Sequence, residues 1–262
     1  MIMIMKKIFL ILSVLMLFVS CRKDTVFNGE GIYCNVNGVG FYMVAVEGGT
    51  YYMGAQSSDP YGINYDEDAS SDESPVKSVT VDDFYIGEIE VTQKLWEAVM
   101  DVKLEYYDYD GNNMPVYEIY YSDCVDFINK LNELTGLEFR LPTEEEWEYA
   151  ARGGNKSQGY KYSGSDKIDK VAWYGENSAM GEDEIYSIRM TKSKTPNELG
   201  LFDMSGNVEE YCISKSDSYT YYGYVARGGN YSDVASDCRI TSVEEYPNRY
   251  TMGLRLAISS IE

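Results

Sequence analysis

Thiols and carboxylates are the reactive groups this sequence offers; imidazole is not among them. The 262 residues include no histidine. That excludes a Ser-His-Asp triad, a Cys-His pair, a histidine-ligated zinc or iron site and a histidine general base. Five cysteines are present. Cys124 falls on an apolar helical stripe and reads as a small packed hydrophobe. In an oxidising compartment Cys34, Cys124, Cys212 and Cys238 allow three disulfide pairings, and their spacing alone selects none. Acids outnumber bases 43 to 22, for a net charge of −21. Such a surface excludes nucleic acid as a partner, because the phosphate backbone requires basic contacts. Residues 57–74 concentrate Asp59, Asp66, Glu67, Asp68, Asp72 and Glu73. Their spacing fits no EF-hand, so the stretch reads as a solvated loop.

The N-terminus sets the compartment. Lys6 and Lys7 precede an apolar run of about 12 residues, the arrangement of a signal peptide and short for a membrane span. Phe18-Val19-Ser20-Cys21 then resembles a bacterial lipoprotein cleavage box, with Phe18 where the box usually has Leu. Residues 1–20 are therefore expected to be removed and Cys21 to carry lipid. The mature chain is expected to be held to a membrane by that anchor in the bacterial cell envelope, in the periplasm or at the cell surface. Residues 21–39 read as a tether and 40–262 as one domain.

The elements that must position any site come next. Residues 41–46 and 50–53 read as strands about a Gly48-Gly49 turn, and 77–86 as a further strand. Thr92 can cap a helix that carries Leu95, Trp96, Val99 and Met100 on one side. Ser122 can cap a second, with Cys124, Phe127, Ile128, Leu131 and Leu134 at helical spacing and Gly136 as its stop. The third helix is fully specified: Thr143 as N-cap, Glu146 closing a capping box, acids in the first turn, and Gly153 as the left-handed stop. Its Trp147, Ala150 and Ala151 share one docking face. Beyond residue 154 helical periodicity ends, and Gly, Asn, Ser and Tyr separate short apolar runs. Overall the pattern is α+β, with few helices, mixed short-stranded sheets and a loop-rich second half.

Several segments, in order, resemble the formylglycine-generating enzyme (sulfatase-modifying factor) family. Gly48-Gly49-Thr50-Tyr51-Tyr52-Met53-Gly54, Phe84-Tyr85-Ile86 and Glu90-Val91-Thr92 are similar to its opening motifs. Arg140-Leu141-Pro142-Thr143-Glu144-Glu145-Glu146-Trp147-Glu148-Tyr149-Ala150-Ala151-Arg152-Gly153-Gly154 resembles its most recognisable segment. Residues 196–208, reading P-N-E-L-G-L-F-D-M-S-G-N-V, resemble the next. Arg227-Gly228-Gly229 and Gly253-Leu254-Arg255 resemble the last. The resemblance implies a variant of the C-type-lectin-like fold, often stabilised by calcium.

It also implies a chemistry that these residues do not complete. Family enzymes hold copper(I) between two cysteines and use oxygen to convert a substrate cysteine to formylglycine; the soft thiolate pair is what copper(I) requires. Cys238 matches the second of those cysteines. Asp233 stands at the first, Asn230 at the family's serine, and Val243 near a downstream arginine. Copper is therefore not expected, and the domain reads as a degenerate member acting in ligand binding or envelope assembly. The alternatives are an oxidoreductase that activates sulfatases, with Cys238 as its remaining catalytic residue, and a structural subunit of a gliding- or secretion-type envelope complex. The motifs bearing Cys212 and Cys238 lie together in the family fold, which makes them the expected disulfide. By the same resemblance calcium is expected at Gly206, Asn207, Val208 and Glu210, with Asn177 matching a second site. Diversified lectin-like proteins similar to this family vary their residues between the Gly-Gly and Gly-Leu-Arg frames. Here Asn230, Tyr231, Asp233, Asp237, Tyr246, Asn248, Arg249 and Tyr250 occupy that interval, rigid aromatics and hydrogen-bonders suited to a protein or glycan ligand.

Overall fold

A computed structural model of the chain describes residues 25–27, 29–104, 113–180, 185–214 and 223–260. The expected signal peptide and Cys21 lie outside them. The sheet that organises the rest starts at a two-residue hairpin. Gly31–Val36 and Val39–Val46 pair antiparallel with Val36 opposite Val39. Asn37 and Gly38 between them both take positive φ, 51° and 86°. That is the turn geometry an Asn-Gly pair favours, because its twist matches the strands. Residues 31–39 of the expected tether are therefore part of the domain: Ile32, Cys34 and Val36 are buried in the core.

This sheet has six strands in the order Val26–Phe27, Gly31–Val36, Val39–Val46, Phe84–Gly87, Ala257–Ser259, Phe139–Arg140. Neighbouring residues point to opposite faces. Met43 packs with the helices α1 (Gln93–Met100) and α2 (Tyr121–Thr135). Val44, Val46 and Ile86 pack with α3 (Glu144–Ala151). Two expectations need correction. Gly49–Met53 does not return along Val39–Val46 but pairs with Lys77–Val81 as a separate ribbon. The single strand expected over 77–86 is broken at Asp82-Asp83, where the Asp83 carboxylate accepts the Gly48 N–H, and its halves join different sheets.

Capping follows the sequence closely. The Thr92 Oγ1 accepts from Leu95 N–H at 3.2 Å, and Thr143 with Glu146 forms both bonds of its capping box. Helix α2 begins two residues before expectation, at Tyr121, with Tyr120 in place of Ser122 at the N-cap, and the Asp123 carboxylate accepts the Tyr120 N–H. After α3 the chain runs through short strands and 3-10 turns. Its second sheet is mixed: Glu209–Ile213 pairs antiparallel with Tyr224–Arg227 and parallel with Met252–Gly253.

Candidate functional site

Two buried ion networks hold the second half against α3. Arg255 is fully buried and donates to both oxygens of Glu210 at 2.6–2.9 Å, and to the carbonyls of Gly87 and Phe202. Trp147 Nε1 adds a bond to Glu210 at 2.6 Å. Arg227, at the end of its strand, reaches Glu144 at 2.6 Å and Glu148 at 3.2 Å and donates to the carbonyls of Thr241 and Ser242. The acids of α3 are thus anchors for incoming arginines as well as partners of the helix dipole.

Between these anchors the segment after Gly228-Gly229 carries the residues that would define an oxidase. Both glycines have positive φ, and at Gly229 an added Cβ would lie 2.9 Å from Cys238 Sγ, so only glycine fits. Asn230 donates through its backbone N–H and its Nδ2 to one Asp233 oxygen, at 2.9 and 2.7 Å. Its own amide oxygen accepts from Ser232. Burial pushes Asp233 up to about 6, against those bonds and with Asp237 adding. Cys238 is fully buried. Burial first, then the neighbouring Asp233, Asp237 and Glu209, raise its thiol well above the ordinary range, which keeps it protonated. Copper(I) does not fit: one protonated thiol beside a hard carboxylate is not a two-thiolate site.

The expected disulfide is also corrected. Cys34, Cys124, Cys212 and Cys238 are all free and buried. Cys212 packs with Trp147 and Val225, whereas Cys238 packs with Tyr162, Val171 and Tyr174, a different cluster. Cys34 and Cys124 both lie in the core cluster with Ile32 and Phe127, apart from the other two.

Above Cys238 opens a cavity of about 310 Å³ lined by Asp72, Glu209, Asp233, Asp237, Arg239 and Glu244, among others. Of the eight residues expected at a ligand surface, only Asp233 and Asp237 line it. Tyr246 and Tyr250 are exposed beside it, Tyr246 through its N–H to Glu244 and Tyr250 next to Thr251, which bonds Glu209. Arg249 stacks between Tyr120 and Tyr250, at 5.0 and 4.1 Å from their rings, and Asn248 caps that turn. Asn230 is buried and structural. Tyr231 faces the other way, edge-on to Tyr117. Glu209 and Arg239 went unnoticed in the sequence. Glu209 opens a strand buried at every position but its last, and no alternation of polar and apolar residues there marks a cleft.

These carboxylates make stability pH-dependent. Burial raises Glu209 to about 7, against the Thr251 bond, and Asp203 to about 6, so both pass above the unfolded carboxylate range. The folded state then holds protons that the unfolded state has lost. The associated stability is fully present below about pH 4 and disappears as pH rises through 6 and 7. The melting temperature is expected to fall between pH 5 and 8. General charge repulsion acts in the same direction, so the discriminating comparison is Glu209→Gln. Its stability relative to wild type should rise across that interval, and a constant difference would contradict the assignment.

The side chains and N–H groups of the expected calcium residues make hydrogen bonds within the protein. Asn177 accepts from Tyr174 N–H and donates to the Ala172 carbonyl, and the neighbouring Ser178 carbonyl is taken by the Arg189 guanidinium at 2.6 Å. Asn207, at φ 64°, donates to Glu90 at 2.8 Å, and Val208 N–H donates to the same carboxylate at 3.2 Å. Gly206 N–H bonds the Gly228 carbonyl. Glu210 is held by Arg255 and Trp147. Among the described residues no three acidic or thiol side chains are grouped to hold a metal. Asp203 is the oxygen donor that the sequence reading missed. It is buried, one oxygen accepts the Lys192 N–H at 2.8 Å, and the other has no partner among the described residues. An acid set among apolar residues in Leu201-Phe202-Asp203-Met204 was the available signal.

Comparison with known proteins agrees with this geometry. Residues 39–260 match the family model described as a sulfatase-modifying factor enzyme 1-like domain. The chain is 32% identical over 221 residues to the chaperone protein LppX of Paenibacillus barcinonensis, covering 66% of this chain and 77% of that one. It is 36% identical over 100 residues to the inactive C-alpha-formylglycine-generating enzyme 2 of Bos taurus, covering 37% of this chain and a smaller share, 33%, of that relative. Among solved structures, Treponema denticola variable protein 1 superposes with a TM-score of 0.69 at 26% identity, over 87% of this chain and 98% of that one.

Proposed function

The chain belongs to the sulfatase-modifying factor family, and from that premise we propose that it is a catalytically degenerate member: an extracytoplasmic, lipid-anchored protein that binds a ligand. The observation that carries this reading is the Asn230–Asp233–Cys238 arrangement. A carboxylate locked by Asn230 stands where the first copper thiolate belongs, over a thiol kept protonated by burial. The similarity to an inactive formylglycine-generating enzyme supports the loss of chemistry. The similarity to a chaperone protein supports a protein partner. Lys6, Lys7 and the Ser20-Cys21 box support the anchor. The test is direct. Copper(I) should not bind stoichiometrically, and a cysteine-containing peptide incubated with copper and oxygen should show no loss of thiol; turnover would restore the oxidase reading.

Calcium enters this proposal through Asp203. Its unpartnered oxygen, with carbonyls of the 203–208 turn, is the donor chemistry that calcium takes. Calcium added to chelator-treated protein is expected to raise the melting temperature by about 2–4 °C. Asp203→Asn should abolish that shift. Identical melts with and without calcium would remove the ion from the picture.

A further inference from the structure

We propose that the row Val26, Tyr33 and Tyr42, on the outer strands of the six-stranded sheet, rests on the headgroup layer of the membrane; this rests on the lipid-anchor reading above and says which face the domain turns to the bilayer. The reach of the chain carries the argument. Val26–Phe27 is already paired into the sheet, at its edge, with Val26 opposite Tyr33 and Phe27 opposite Ile32. Only Arg22, Lys23, Asp24 and Thr25 separate it from Cys21. Fully extended, the chain from Cys21 to Val26 spans at most about 18 Å. A domain of this size has a radius of gyration of about 17 Å. A lipid at Cys21 therefore cannot hold the domain a diameter away from the bilayer, and the edge bearing Val26 is its nearest part.

That edge has one covered and one uncovered face. Ile32, Cys34 and Val36 point inward and are buried with α1 and α2. On the other face α3 covers Val44 and Val46 but not the outermost strands. Val26 is 56% and Tyr33 44% exposed, Gly40 is exposed and Tyr42 half-buried. The register sets Val26 opposite Tyr33 and Tyr33 opposite Tyr42, one continuous row across three strands. The row is also flat. A Cβ at Gly40 would lie 1.9 Å from the Tyr33 Oη, and one at Gly31 2.6 Å from the Tyr42 Oη, so each ring lies over a glycine of the neighbouring strand. Rings laid flat and ending in hydroxyls suit the bilayer interface, where tyrosine keeps its apolar body towards the acyl chains and its hydroxyl among the headgroups.

Area and charge favour lipid over a second protein on this face. A stable protein interface covers about 800 Å² on each partner, far more than three side chains supply. A surface already tied to the bilayer needs little affinity of its own, because the short connection keeps it at high effective concentration. The connecting sequence sets Arg22 and Lys23 against the single acid Asp24, a local excess of base in a chain of net charge −21. Phosphate headgroups attract such a juxtamembrane pair.

The test reconstitutes the full-length chain in vesicles of phosphatidylethanolamine and phosphatidylglycerol, three to one, doped with brominated lipid. Bimane is attached at Tyr33→Cys or, as control, at Tyr61→Cys, a fully exposed position outside this sheet; Cys34, Cys124, Cys212 and Cys238 are buried. Bromine should quench the label at position 33 at least threefold more than the label at 61. A twenty-residue Gly-Ser insert between Asp24 and Thr25 then removes the constraint of reach. Quenching at 33 should keep at least half its value in the lengthened chain, and Val26→Ser/Tyr42→Ser should bring it down to the level at 61. Val26→Ser alone, at an exposed edge position, should give a partial fall even where the double variant melts early. Equal quenching at the two positions, or a fall to the control level on lengthening alone, would overturn the proposal. So would a label at 33 that is shielded in the soluble Cys21→Ser chain as protein concentration rises, the mark of a second copy on this face. The intact mass separates the two readings. A chain without lipid at Cys21 overturns the anchor and this proposal with it, whereas a lipidated chain unquenched at 33 overturns the orientation alone.

Discussion

Replacing Arg255 with Met is expected to destabilise the protein by about 3–5 kcal/mol, the largest loss any single substitution here should produce. The guanidinium has no exposure and satisfies two backbone carbonyls and both oxygens of Glu210. A methionine of similar length fills the volume but leaves Glu210 without a counter-charge. Two more buried carboxylates depend on the same cation. Burial raises Glu90 well above its ordinary value, and Asp203 and Glu210 add to that while Arg255 opposes it. Lysine keeps the charge but cannot reproduce the fork, so Arg255→Lys should recover only part of the loss. Adding Glu210→Gln to Arg255→Met removes the orphaned charge and should restore more than Lys does. Urea unfolding measures all three. A loss below about 1 kcal/mol for Arg255→Met would mean that water reaches the pair and that the buried network is not what fastens the second sheet.

That network also marks where the sequence was legible and where it was not. The capping box Thr143–Glu146, the helical stripe of Cys124, Phe127 and Leu131, and the ordered family motifs all encode short-range geometry, and each appears as read. What failed was long-range. Asn37-Gly38 specifies a hairpin locally, but only the pairing of Gly31–Val36 with Val39–Val46 makes the preceding segment part of the core. Asp82-Asp83 looks like a polar interruption in one strand, and the fold uses it to pass from one sheet to another. Acids were the least legible of all. Glu144, Glu210 and Glu73 read as helix-dipole, calcium and solvent-loop residues, yet Arg227, Arg255 and Arg239 claim them from 83, 45 and 166 positions away. Sequence spacing carries no trace of these pairings. For the cleft, it was the missing thiol at Asp233 that pointed to the right place, while Glu209 and Arg239, which give the cavity its charge, became visible only when strand and loop were brought together.

Asp233→Cys is expected to produce the largest functional change, from no copper(I) binding to one equivalent per chain. The substitution places two thiols five positions apart, one before the 3-10 turn Ala235–Cys238 and one at its last residue, and soft sulfur pairs are what copper(I) selects. It also removes the charge that, after burial, does most to hold the Cys238 thiol protonated, so that thiolate becomes easier to form. The cost is local. Asn230 loses the oxygen that receives its backbone N–H and its Nδ2, worth about 1–3 kcal/mol in a partly buried setting, so melting should be followed alongside. Competition against bicinchoninate for copper(I) reads the gain, with Asp233→Ser reproducing the stability loss without the metal. Turnover of a cysteine peptide should nevertheless stay absent, because Asn230 and Val243 still occupy positions that the family fills with serine and arginine. A variant that binds copper without oxidising its substrate would separate the two losses, assigning the metal to Asp233 alone and the chemistry to the rest of the cleft. A variant that fails to bind would instead show that the loop has moved since the thiol was lost, and that its present shape serves the acidic cavity above it.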